Sequence, residues 1–255
     1  MAKIIAIANQ KGGVGKSTTA INLAASMVEK GKRILVVDID PQRNTTSGLG
    51  VKEEDINKTV YELIMGEAQV KECLVKGIMD NIYIIPSHRN LAGAEIELID
   101  VEDKEYLLKK YIDNIKEAFD YVFIDCPPSL NTLTVNAMTT ADSVLIPIQC
   151  EYYALEGLSQ LMYTVELVKE RLNDRLEIEG IVFTMYDSRT CLSNEVVENV
   201  KDNFKGKIFE TMIPRNVRLA EAPSYGLPIN LYDPKSTGAV RYRKLADEII
   251  AQGGK

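Results

Sequence analysis

The chain has 255 residues, 45% of them apolar, and a net charge of -7. This length and apolar share suffice for a single α/β domain spanning residues 1–255, and the acidity excludes a protein that coats nucleic acid over its whole surface. Four cysteines, Cys73, Cys126, Cys150 and Cys191, stand singly; without paired spacing they exclude a disulfide framework or zinc site and are expected as buried free thiols.

The start, MAKIIAIANQKGG, holds an apolar run too short for a signal peptide or a membrane span, so a cytoplasmic protein is expected. Apolar runs at 3–8, 33–38, 81–86, 121–125, 143–148 and 179–184 read as buried strands. Segments 16–30, 104–118, 154–173, 193–204 and 238–251 have helical length and spacing, with Gly31 closing the first of them. The alternation predicts an α/β fold: a mostly parallel, twisted sheet flanked by helices on both faces. In such a sheet ligands gather at the carboxyl ends of the strands. Three polar segments fall there: Gln10-Lys11-Gly12-Gly13 after the first strand, Asp38-Ile39-Asp40-Pro41 after the second, and Asp125-Cys126-Pro127-Pro128 after the fourth.

The stretch from Asn9 to Ala20, NQKGGVGKSTTA, departs twice from the phosphate-loop pattern G-x-x-x-x-G-K-[ST]. Gln10 replaces the first glycine, and Lys11 is an additional cation. Gly12, Gly13 and Gly15, with Val14 between them, form a loop whose backbone can approach an anion at a helix N-terminus. Lys16 is placed to neutralise outer phosphates, Ser17 to meet Mg²⁺ and Thr18 to bond an inner phosphate. Asp125 has the position of a carboxylate that holds Mg²⁺ directly or through water; its alternative is a helix cap ahead of Pro127. Asp38 and Asp40, two residues apart, either orient an attacking water or cap the turn at Pro41. Residues 181–244 carry ten basic against seven acidic side chains, a net +3, leaving -10 to the rest of the chain. Such asymmetry can mark a nucleic-acid face, although charge fluctuates along any sequence.

The motif KGGVGKST closely resembles the deviant Walker A loop. With DIDPQ, FIDCPPS, IPIQCEYYALEGL, IPRNVRLAEAPSYGLPI and YDPKSTGA, the whole chain resembles the ParA/Soj-type chromosome-partitioning ATPases. The resemblance implies a P-loop NTPase fold and an ATP-dependent homodimer with two ATP molecules, each with Mg²⁺, between the subunits. Lys11 would reach the partner's phosphates and Lys16 its own; Asp40 would orient the hydrolytic water, Ser17 and Asp125 would serve Mg²⁺, and Gly12 would lie at the dimer contact. Thr184, Pro214 and Asn216 would face the adenine. Arg189 and Arg218 would bind nucleoid double-stranded DNA without sequence preference, and a ParB-like centromere-binding protein would stimulate slow hydrolysis. The implied role is chromosome or plasmid partitioning, with regulation of replication initiation in some relatives. One residue departs from the family: Arg43 stands where a glycine is usual, so either the loop bends differently or a charge is added near the phosphates. A MinD-like membrane protein is not expected, because the end LADEIIAQGGK carries Asp247 and Glu248 rather than a basic amphipathic helix. A metabolic enzyme of the dethiobiotin-synthetase sort and a scaffold that binds ATP without hydrolysis are the remaining rivals.

Overall fold

A computed structural model describes residues 2–152 and 154–253. Among them, strands β1 (Lys3–Ile7), β2 (Ile34–Asp38), β3 (Val75–Lys76), β4 (Ile82–Ile85), β5 (Tyr121–Asp125), β6 (Ser143–Gln149) and β7 (Glu177–Thr184) form one sheet. Their order is β3-β4-β2-β5-β1-β6-β7. Every pairing is parallel except the β3–β4 edge. That edge strand is missing from the sequence reading, because two residues are too short to show a period.

Both faces of the sheet are covered, as continuous apolar strands require. Side chains alternate across it: Ile5, Ile7, Val36 and Phe123 face one core, Ile4, Ala6, Val37 and Ile124 the other. The first core is closed by the helices Lys16–Val28 and Thr237–Gln252, the second by Thr132–Thr140, Ala154–Arg171 and Cys191–Asn203. No described helix is long and apolar enough to cross a membrane.

Three local expectations need correction. The segment 104–118 is not one helix but a 3₁₀ turn, the helix Leu107–Ile112 and a second 3₁₀ turn. The Asn114 side chain bonds the Lys110 carbonyl, a local bond that competes with helix continuation. The helix Thr132–Thr140 was not foreseen, since its four threonines weaken the propensity signal; Asn131 caps it through the Thr134 N–H, and the core buries it. Cys191 is exposed at the start of its helix, whereas the other three cysteines are buried. Gly31 does follow the first helix in the left-handed conformation, φ 77°.

The two helices on the first face are stapled by Arg243, which bonds both oxygens of Glu29 at 2.6 and 3.0 Å. Burial alone would raise the Glu29 carboxyl, but bonds from Arg243 and Asn230 and the charges of Arg243 and Lys30 outweigh it and hold the group below its ordinary range. A carboxyl depressed by folding stabilises above its unfolded pKa and loses that contribution as pH falls. Glu29→Gln should therefore lower stability by about 1 kcal/mol at neutral pH, with the difference from wild type vanishing in acid; urea melts across pH check this.

Candidate functional site

The three polar segments meet. In the strand register Asp125 lies beside Ile7 on one side and Asp38 on the other, so the ends of β1, β5 and β2 are neighbours. A cleft of about 410 Å³ opens above them, lined by Gly12, Gly13, Gly15, Lys16, Ser17, Thr18 and Asp40, and also by Gln42, Asn44 and Pro128.

Gly13 and Gly15 take φ of 76° and 90°, which other residues adopt only under strain, and Gly15 caps the helix that begins at Lys16. Lys16 is only 6% exposed, and its Nζ donates to the Lys11 carbonyl at 3.2 Å. Burial lowers its pKa, opposed by the nearby carboxylates Asp125 and Asp40. The Val14 side chain does not line the cleft: it is buried, and the Val14 carbonyl accepts the Thr184 hydroxyl at 2.8 Å.

Asp125 is fully buried beneath this cleft. It is no helix cap, since the next helix starts at Thr132 with Asn131 as its cap. Its Oδ2 accepts the Thr45 hydroxyl at 2.7 Å, while Oδ1 is buried with no hydrogen-bond partner. Burial raises this carboxyl, the Thr45 hydroxyl and the Lys16 charge oppose the shift, and Asp40 adds to it. An unpartnered buried carboxylate oxygen fits a hydrated divalent cation, whose water would donate to that oxygen.

Asp38 and Asp40 separate into different surroundings. Asp38 is fully buried off the cleft and accepts three bonds, from the Asp40 N–H and from the N–H and hydroxyl of Thr46. Asp40 lines the cleft, with its Oδ1 accepting the Gln42 N–H at 2.9 Å. The two readings therefore divide: Asp38 closes the turn, and Asp40 is the carboxylate available to a ligand.

Arg43 follows neither expectation drawn from its sequence position. It keeps the left-handed turn at φ 59°, at a cost of about 1 kcal/mol, yet its side chain does not line the cleft. It is 11% exposed and donates to Glu53 at 2.6 Å.

Lys11 also points away from its own cleft. Its Nζ pairs with Glu151 Oε2 at 2.6 Å, and Gln149 bonds the other oxygen of Glu151. Nothing in the spacing of IPIQCEYYALEGL announces that partner.

A second, mostly apolar cleft of about 380 Å³ adjoins the first, sharing Gly15, Thr18, Met185, Leu219 and Ala220 with it. Thr184, Pro214 and Asn216 all line it, together with Tyr242. Asn216 has its side chain engaged, its oxygen capping the Arg218 N–H and its nitrogen donating to Thr237. The two predicted DNA arginines do not share a cleft. Arg189 lies with Arg215 and Arg241 on a third depression and pairs with Asp187 at 2.7 Å. Arg218 pairs with Glu221 at 2.9 Å and Asp233 at 3.6 Å.

A glycine loop between a parallel strand and a helix, backed by carboxylates on the neighbouring strand ends, defines a P-loop NTPase. Residues 2–178 match the family described as an AAA domain, and the chain is 54% identical to the sporulation initiation inhibitor protein Soj of Bacillus subtilis over 99% of its own length and 100% of that protein. It belongs to the Soj/ParA family of chromosome-partitioning ATPases. The chromosome partitioning protein ParA of Myxococcus xanthus is 50% identical, with 97% of this chain and 88% of that one covered. Among solved structures, cobyrinic acid a,c-diamide synthase of Mycobacterium smegmatis, with bound ADP and magnesium, superposes with a TM-score of 0.87 at 36% identity, covering 100% and 97% of the two chains.

Proposed function

We propose that the chain acts as a single ATPase domain whose ATP-bound form dimerises, binds DNA without sequence preference and, with a ParB-like partner, partitions a chromosome or plasmid. The observation that carries this reading is the pair of contiguous clefts, one cationic and glycine-lined, the other apolar. Together they match the triphosphate and base of one nucleotide. In this reading the backbone of Gly12, Gly13, Val14 and Gly15 cradles the phosphates, Lys16 neutralises them, and Thr18 bonds an inner one. Ser17 and Asp125 would hold Mg²⁺, with Asp125 acting through water because it lies beneath the cleft floor; the ion would neutralise charge on the phosphates. Thr184, Pro214 and Asn216 form the adenine side. Asp40 orients the water that attacks the terminal phosphate, breaking its bond to the bridging oxygen and leaving ADP and phosphate.

Lys11 completes the site from the partner subunit, and Gly12 sits at that contact. Its pairing with Glu151 in the single chain keeps the cation off its own phosphates. The dimer then doubles the basic face that each subunit offers through Arg189 and Arg218, which gives ATP control over DNA affinity. Their ion pairs with Asp187, Glu221 and Asp233 are exposed and cost little to exchange for phosphates. The protein would work in the cytoplasm on the nucleoid, and the same cycle could serve regulation of replication initiation.

ATP turnover measured alone, with DNA, and with DNA plus a ParB-type protein tests the reading. Turnover should be slow alone and rise with both additions; no turnover under any condition would leave a nucleotide-binding scaffold instead. Replacing Arg189 and Arg218 with alanine should abolish ATP-dependent DNA binding at ordinary salt while ATP affinity stays unchanged. Filter binding at two salt concentrations reads this, and persistent binding would place the DNA on another face.

A further inference from the structure

Asp38 does not line the phosphate cleft, yet it bonds to the segment that does. As the last residue of β2 it is fully buried. Its Oδ1 accepts the Asp40 N–H at 3.1 Å, and its Oδ2 accepts the Thr46 N–H at 2.8 Å and the Thr46 hydroxyl at 2.7 Å. Between these two anchor points the chain presents Asp40, Gln42 and Asn44 to the phosphate cleft. It also places Thr45, whose hydroxyl occupies one oxygen of Asp125 and leaves the other unpartnered. Thr46 Oγ1 in turn accepts the Ser87 N–H at 3.1 Å, tying in the segment beyond β4.

A carboxylate is a costly way to hold a turn. It sits in register beside Asp125, and both are fully buried. An amide in its place would keep one acceptor oxygen and turn its NH2 against a donor from Asp40 or Thr46, because both carboxyl oxygens accept bonds here.

We propose that Asp38 is a positioning residue for hydrolysis: by pinning both ends of the segment 40–46 it sets Asp40 against the phosphate cleft and, through Thr45, fixes the orientation of Asp125. The inference rests on the reading of Asp40 and Asp125 given above and deepens it. Asp38 itself touches no reacting atom; it acts through the backbone of Asp40 and through Thr46.

The test is Asp38→Asn, which preserves size but removes one strong acceptor. Turnover with saturating MgATP should fall on the order of a hundredfold, since small misplacements of reacting groups carry losses of that size. Affinity for a fluorescent ADP analogue should stay within about threefold, the signature of an effect confined to the transition state. Deuterium exchange should rise within residues 39–46 and nowhere else in the sheet. Thr46→Ser, which keeps both donors, should behave as wild type, and Thr46→Val, which lacks the hydroxyl, should lose turnover while keeping ADP affinity. If Asp38→Asn does not fold, the Thr46 pair decides by the same readouts. Unchanged turnover and exchange in Asp38→Asn overturn the proposal. So does a loss of ADP affinity and global protection in proportion to turnover, which would make Asp38 a structural residue only. Should the wild type hydrolyse no ATP, the ATPase reading fails by itself, and local exchange at 39–46 still decides whether Asp38 holds the segment.

Discussion

Lys11→Ala should leave nucleotide affinity unchanged and reduce partner-stimulated hydrolysis on the order of a thousandfold, the scale on which a cation supplied in trans acts in phosphoryl transfer. The two effects separate because the groups assigned to ground-state binding, Lys16, Ser17 and Thr18, lie on the chain's own cleft, whereas the Lys11 ammonium is held outside it by Glu151. That tether is weak. Both side chains are well exposed, at 36% and 43%, and an exposed ion pair contributes about 0–1 kcal/mol. In the proposed dimer, a triphosphate presented by the second subunit would outcompete Glu151 for the lysine. Titration with a fluorescent ADP analogue, beside turnover with DNA and a ParB-type partner, measures both effects.

Lys16→Ala is expected to fail at an earlier step. The residue is almost wholly buried, and the charges of Asp125 and Asp40 oppose the loss of its proton that burial favours. Truncation removes the bond that Nζ donates to the Lys11 carbonyl, a change of about 1 kcal/mol in stability. The triphosphate loses its nearest cation as well, so nucleotide affinity should fall on the order of a hundredfold or more. Lys16→Ala should thus show no nucleotide-induced stabilisation, whereas Lys11→Ala responds like wild type. Thermal melts with and without MgADP distinguish the two lysines.

The sheet was readable from sequence because its strands are buried on both faces and so appear as unbroken apolar runs, as in Tyr121–Asp125. The phosphate cleft was readable because a parallel sheet brings its strand ends together, which Asp38 and Asp125 do in direct register. What escaped depends on contacts between distant residues. Glu151 meets Lys11 across 140 residues, and the hydroxyl of Thr45 reaches Asp125 across 80. No local period encodes such pairs. Arg43 shows a different limit: its backbone keeps the turn that a glycine would adopt, while its long side chain turns to Glu53, an outcome decided by packing. The family resemblance set Asn216 on the adenine side, but its role as a helix cap shows only once the bond to the Arg218 N–H is seen.

The central claim is that each site takes Lys11 from one subunit and Asp40 from the other. Mixing two separately inactive variants, Lys11→Ala and Asp40→Asn, measures it most directly. In a mixed dimer one site regains both groups, Asp40 from the Lys11→Ala subunit and Lys11 from the Asp40→Asn subunit, so stimulated turnover should reappear on mixing and grow with the fraction of mixed dimers. If Lys11 instead served the phosphates of its own chain, no site in the mixture would hold both groups, and turnover would remain as low as in either variant alone.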